Sequence, residues 1–223
     1  MSPVIVAIDG PSGAGKGTVA RAVAAELGFR HVDSGAMYRA VGLKALREGV
    51  GLDDEAAVAA LAERARVDVQ PNRVIVDGED VTREIRTPEI DLAAASVARL
   101  PRVRAVLVAV QRAMGDDGRG LVMEGRDIGT VVFPRADVKI YLDATPEERA
   151  RRRASDPAHS GGSTVVAEVV SALTARDELD RTRTTSPLQR ADDAVRVDTT
   201  GKSIAEVVKE VMSVIGRKLE AGG

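Results

Sequence analysis

The sequence predicts an α/β fold: one parallel sheet of five short strands, helices on both of its faces, and a smaller inserted lobe. Three observations carry this expectation. Short apolar runs alternate with stretches of helical spacing from residue 3 to residue 219. The first run, Val4-Ile5-Val6-Ala7-Ile8, passes directly into a glycine-rich turn, GPSGAGKGT at 10–18, and then into a helical pattern. Residues 53–100 interrupt the alternation with pieces that do not continue the sheet.

Each element has its own signal. A strand at 3–8 leads to a helix over about 15–27 that ends at Gly28, a residue suited to the left-handed helix terminus. A strand at 30–32 precedes Asp33-Ser34-Gly35, and a helix over 36–48 stops at Gly49 and Gly51. Either Ser34 caps that helix or Asp33 sits in a turn. Residues 53–66 place Val58, Leu61 and Ala65 on one helical face. The runs 67–69 and 73–76 read as a hairpin around Pro71-Asn72, and a second turn follows at 77–80. Helical spacing over 88–114 breaks at Pro101, which suits the first turn of a new helix. The runs 121–124 and 138–142 have the character of buried parallel strands. Helices at 146–154 and 164–181, a strand at 194–197 and an amphipathic helix at 203–219 complete the chain. The segment 156–163 (DPAHSGGS) has the composition of a lid tip.

Composition narrows the function. With 223 residues the chain can bury a sizeable core. A net charge of −2 disfavours binding to nucleic acid or membrane by bulk charge. No apolar run approaches the ~20 residues that span a bilayer. The absence of cysteine excludes disulfides and thiolate metal sites. The expectation is a soluble, cytoplasmic monomer with no protein-bound metal site. His31 and His159 lack metal-ligand spacing and carry little weight. Only two Phe, two Tyr and no Trp are present, so base recognition must rest on polar side chains; Met37 and Tyr38 read as packing residues. Of 32 basic residues only six are lysine, and position must decide which arginines matter.

Residues 10–18 fit the phosphate-loop (Walker A) template G-x-x-x-x-G-K. Gly10, Gly13 and Gly15 let the backbone turn its N–H groups, with those of Ser12 and Ala14, toward a polyphosphate. The following helix points its positive end at the same spot, and Lys16 adds a full charge. The sheet is therefore expected to be of the P-loop NTPase type. The template departs at Gly17, which puts the hydroxyl one position late, at Thr18. A direct contact of Thr18 with Mg²⁺ is thus left open, the metal being expected mainly on phosphates and water. The spelling G-K-G-T resembles that of nucleoside-monophosphate kinases.

The acceptor must be read elsewhere. Asp33-Ser34-Gly35-Ala36-Met37-Tyr38-Arg39 and Glu124-Gly125-Arg126-Asp127 both follow strands at the carboxyl edge of the sheet, where ligands gather in open α/β folds. The two segments can face each other across one cleft.

The set GPSGAGKGT, DSGAMYR, GEDVTREIRT (78–87), PRVR (101–104), GRDIGTVVFP (125–134), DATPEERARRR (143–153) and RDELDRTR (176–183) resembles bacterial cytidylate kinases in order and spacing from about residue 4 to residue 200. The resemblance implies that Ser34, Arg104 and Asp127 read cytosine. It implies that Arg39 and Arg126 grip the acceptor phosphate, that Arg176 and Asp180 contact the ribose, and that Arg183 is a further active-site arginine. Arg149, Arg152 and Arg153 resemble lid arginines that close on the donor phosphates. Leu179 stands where relatives can carry arginine, and Ala95 where a base-contacting serine is often found, with Ser96 next to it. The implied organisation is a core at 1–36, 102–150 and 166–223, a monophosphate-binding lobe at 37–101 with its insert at 53–100, and a lid at 151–165.

The implied reaction is transfer from ATP, with Mg²⁺, to CMP or dCMP. Chemistry supports the base assignment independently, since a carboxylate accepts from the cytosine amine and a guanidinium donates to its carbonyl or ring nitrogen. An acceptor phosphate that is already largely dianionic needs no general base. Two other readings compete. The first changes the acceptor, to another nucleoside monophosphate or to a small hydroxyl metabolite, and a hydroxyl acceptor would need a carboxylate base, with Asp33 available. A guanine-nucleotide switch would need N-K-x-D, whereas the single asparagine, Asn72, is followed by Arg73 and Val74.

Overall fold

The computed structural model describes residues 3–156 and 165–222. In chain order its elements are β1 (Ile5–Asp9), α1 (Lys16–Leu27), β2 (Arg30–Asp33), α2 (Ser34–Arg47), α3 (Glu55–Arg64), β3 (Val67–Gln70), β4 (Arg73–Val76), β5 (Glu79–Asp80), α4 (Pro88–Val97), α5 (Pro101–Gly115), β6 (Leu121–Gly125), a π-helical turn (Ile128–Val132), β7 (Val138–Asp143), α6 (Pro146–Ala154), α7 (Val166–Thr182), β8 (Val195–Asp198) and α8 (Ile204–Gly222).

Five strands form a parallel sheet in the order β2-β6-β1-β7-β8. The apolar runs are buried on both faces, as parallel sheets require. On one face Val6, Ile8, Val122 and Ile140 meet Val19 and Val23 of α1 and Val207 and Val211 of α8. On the other, Ala7, Val32 and Met123 pack with Val108 and Ile128. Register aligns Asp9 with Gly125 and Tyr141, and Asp33 with Glu124. The polar residues that end four strands therefore share one edge.

The inserted segment builds a third core around Met37, Leu61 and Ile85, which continues into α5 through Val103 and Leu107. Its small sheet is antiparallel, in the order β3-β4-β5. Residues 79–80, expected within a turn, pair instead with Ile75 and Val76 as a short strand. The turn itself is only Asp77 and Gly78, with φ of 51° and 90°, the two-residue geometry that matches strand twist.

Two local features set the site. Asp33, rather than Ser34, caps α2: its Oδ1 accepts from Ala36 N–H at 3.1 Å. After β6 the chain makes the π-helical turn, with Val132 N–H donating to Asp127 O at 3.2 Å, an element that the sequence reading did not anticipate. Asp9 fastens it, accepting from Ile128 and Gly129 N–H at 2.8 and 2.7 Å. Burial pushes the Asp9 carboxyl up to about 6 despite these bonds. Residues 157–164, including most of the expected lid tip and His159, lie outside the described residues.

Candidate active site

The phosphate loop runs from β1 to α1 and needs its glycines. A Cβ at Gly10 (φ +151°) would lie 2.0 Å from the Leu142 carbonyl oxygen, and one at Gly13 (φ +78°) 2.8 Å from that of Arg149. Gly10 seats the loop against β7. Ser12, Gly13, Ala14, Gly15, Lys16, Gly17 and Thr18 line one side of a cleft of about 890 Å³.

Lys16 is buried beneath the loop, its Nζ donating to Pro11 O at 2.8 Å. Burial, reinforced by Arg126 nearby, pushes its ammonium down to about 7, against the opposing pull of Glu124, Asp177 and Asp33. A lysine so poised gains much from an arriving anion.

Three of the four arginines of α6, Arg149, Arg152 and Arg153, diverge. Arg152 lines the cleft with Nε on Glu148 at 2.9 Å and its Nη1 and Nη2 on the Oγ1 and main-chain oxygen of Thr199 at 2.8 and 2.6 Å. Arg153 also lines the cleft and is ion-paired with Asp91 of α4. Arg149 does not take the lid position expected of it. It is buried, with Nη1 on Ser12 O at 2.9 Å and paired with Asp177, whose other oxygen accepts from Ser12 N–H at 3.2 Å. This ion pair clamps the loop backbone from below; α7 supplies Asp177 because its buried face meets α6.

Across the cleft, the expected acceptor residues converge. Ser34 donates its hydroxyl to Glu124 O at 2.7 Å. Arg39 reaches Asp33 at 3.3 Å and Asp91 at 3.2 Å. Although burial alone would raise the Asp33 carboxyl, Arg39 and His31 hold it below the usual range. Arg104 is buried and ion-paired with Asp127, with its guanidinium carbon 5.4 Å from the centre of the Tyr38 ring. Arg183 approaches Asp127 at 3.6 Å and Asp180 at 3.9 Å. Burial raises Asp127 even with Arg104 and Arg183 opposing. Asp180 takes Arg126 at 2.9 Å and Arg176 at 3.7 Å, and these guanidinium groups keep it low against its own burial. Among the described residues, buried Nε of Arg176 and Nη2 of Arg183 have no hydrogen-bond acceptor, which suits a cleft that receives oxygen-rich ligands.

Several lining residues were not singled out from sequence. Glu124, the last side chain of β6 before Gly125, stands with Oε1 3.4 Å from His31 Nε2 and beside Gly17. Lys202, Ser203, Ile204 and Val207 line the cleft at the start of α8, next to Arg152. Pro71, Asn72, Thr82 and Arg86 reach it from the inserted lobe. A signal existed for Glu124, which stands in the Glu124-Gly125-Arg126-Asp127 segment at the sheet edge, and for Thr82 and Arg86, which belong to the GEDVTREIRT segment.

The sequence pattern of cytidylate kinases matches residues 6–217. The chain belongs to the cytidylate kinase family. The cytidylate kinase of Pelotomaculum thermopropionicum is 50% identical over 213 residues, covering 93% of this chain and 94% of the relative. That of Clostridioides difficile is 44% identical, covering 96% and 99%. Among solved structures, a gluconokinase from Sinorhizobium meliloti aligns over 99% of this chain and 95% of its own with a TM-score of 0.56 at 15% identity, a likeness of fold. The phosphate loop on a parallel sheet is thus the scaffold of a cytidylate kinase family member.

Proposed function

We propose that this cleft transfers the γ-phosphoryl group of ATP directly to CMP or dCMP, yielding ADP with CDP or dCDP. One observation carries the reading: the phosphate loop with Lys16 and the buried Arg104–Asp127 pair line the same cleft. The first suits a triphosphate. The second presents a carboxylate and a guanidinium to the pairing edge of cytosine without an aromatic platform.

On this reading Ser12 to Thr18 and Lys16 hold the donor, with Arg152 and Arg153 beside its phosphates. Ser34, Arg104 and Asp127 read the base, Arg39 and Arg126 grip the acceptor phosphate, and Arg176, Asp180 and Arg183 seat the nucleoside. Catalysis is alignment and charge stabilisation of a loose phosphoryl transition state. Arginine suits it, because its fork binds phosphate oxygens bidentately and keeps its proton. Mg²⁺ fits the oxygen chemistry here: it would arrive on the donor phosphates and neutralise their charge, with the Glu124 carboxylate near Lys16 and Thr18 lining the same cleft. The protein is read as a monomer whose lobe at 37–101 helps to exclude water.

A hydroxyl acceptor is less well supported. The candidate base named for it, Asp33, is engaged by Ala36 N–H and Arg39 and held low, which makes it a poor proton acceptor. A coupled ADP-release assay with CMP, dCMP, UMP and AMP tests the proposal. CMP and dCMP should be the preferred acceptors, and equal turnover of AMP would overturn the base assignment.

A further inference from the structure

Asp91 stands on α4, in the inserted lobe, with its side chain four-fifths buried. Its Oδ1 accepts from Arg39 Nε at 3.2 Å and its Oδ2 from Arg153, while its main-chain oxygen accepts from Arg176. The three guanidinium groups come from three helices, α2, α6 and α7. A carboxylate shared by two arginines reproduces the way such forks hold two oxygens of one phosphate.

The cations need a counter-charge when no nucleotide is present. Burial, with Arg39 and Arg126 close by, holds both Arg153 and Arg176 below the usual arginine range, and the Asp91 charge opposes that shift. A phosphate brought by substrate supplies the same neutralisation with more charge. Once nucleotide phosphates arrive, each of the guanidinium groups that Asp91 holds has a better partner.

We propose that Asp91 is an internal stand-in for substrate phosphate: it ties the inserted lobe to α6 through Arg39 and Arg153, and it surrenders Arg39 when the acceptor phosphate binds and Arg153 when the donor phosphates arrive. It thereby sets the KM for the acceptor. None of the motifs that identify the family includes residue 91, which falls between the segments 78–87 and 101–104. The proposal rests on the reading that Arg39 grips the acceptor phosphate.

The test uses Asp91→Asn and Asp91→Ser, with steady-state kinetics and with thermal protection by inorganic phosphate. Both variants should lower the KM for CMP by about threefold or more with kcat changed less than about twofold, the scale of one half-buried ion pair. Phosphate should protect them at correspondingly lower concentration, while their melting temperature without ligand falls. An unchanged or raised KM for CMP in both variants, or a loss confined to kcat, overturns the stand-in and leaves Asp91 a structural prop. Should wild-type enzyme fail to phosphorylate CMP while the shift in phosphate protection persists, the acceptor reading fails and the stand-in survives.

Discussion

Gly17 leaves the space that the Glu124 carboxylate occupies: a Cβ at residue 17 would stand 3.0 Å from Glu124 Oε1 and 3.4 Å from Arg21 Nη1. This accounts for the displaced hydroxyl in G-K-G-T. A serine directly after the lysine would press on a buried carboxylate that lines the cleft.

Gly17→Ser should therefore leave the fold intact, because serine is a better helix former than glycine by a few tenths of a kcal/mol. Turnover should suffer instead, with kcat/KM for MgATP falling about 10- to 100-fold through misplacement of the donor. Steady-state kinetics alongside a melting curve separates the two, and wild-type kinetics would remove any role for this spacing.

Asp127 is the shared counter-ion of Arg104 and Arg183, both buried. Asp127→Asn keeps the shape and removes the charge. The preference for CMP over UMP, as a ratio of kcat/KM, should fall by a factor corresponding to about 1–3 kcal/mol. Because breaking a buried pair can itself cost about 3–5 kcal/mol, the melting temperature should drop as well. An unaltered CMP/UMP ratio in folded protein would show that the base is read elsewhere.

Lys16 has a folded pKa of about 7 against an ordinary 10.5, so its protonated form costs the ligand-free fold stability. That penalty is fully present below pH 7 and fades as pH rises from 7 to 10.5. Lys16→Met should accordingly melt no lower than wild type at pH 6, while transfer falls by on the order of 10²–10³-fold or more. Binding of ATP should restore the ammonium, giving proton uptake approaching one per nucleotide at pH 8 in wild type and none in the variant. Calorimetry in buffers of different ionisation enthalpy measures it; equal uptake by both proteins would sink the pKa argument.

Arg149 and Arg152 should behave differently although they are three residues apart. Arg149→Ala strands the fully buried Asp177 and frees the Ser12 carbonyl, so it should destabilise the fold by about 3–5 kcal/mol. Arg152→Ala removes a partly exposed group and should act on KM for ATP and on kcat with little effect on denaturant midpoint. Equal stability of the two variants would place Arg149 outside the scaffold.

Periodicity and punctuation made most of the architecture legible. Alternating apolar runs and helical stretches gave the five parallel strands, Gly28 and Gly49 the helix ends, and Pro101 the start of α5. These are local properties, encoded within a few residues of where they act. The boundaries that failed were those decided by long-range contact. Glu79 and Asp80 look like turn residues, yet pairing with β4 makes them a strand. The π-helical turn exists because the Asp9 carboxylate, about 120 residues earlier, captures two of its N–H groups.

The same division runs through the site. Sequence by itself determined that a phosphate loop would follow β1, that Lys16 would serve it, and that the DSGAMYR and GRD segments would share an edge, since strand ends and motif spacing suffice for that. Only the tertiary structure decided that Arg149 supports the loop while Arg152 and Arg153 face the cleft, and that Asp91 belongs to the surroundings. Charges on one helix point several ways around its axis, and which guanidinium meets which carboxylate depends on partners far along the chain.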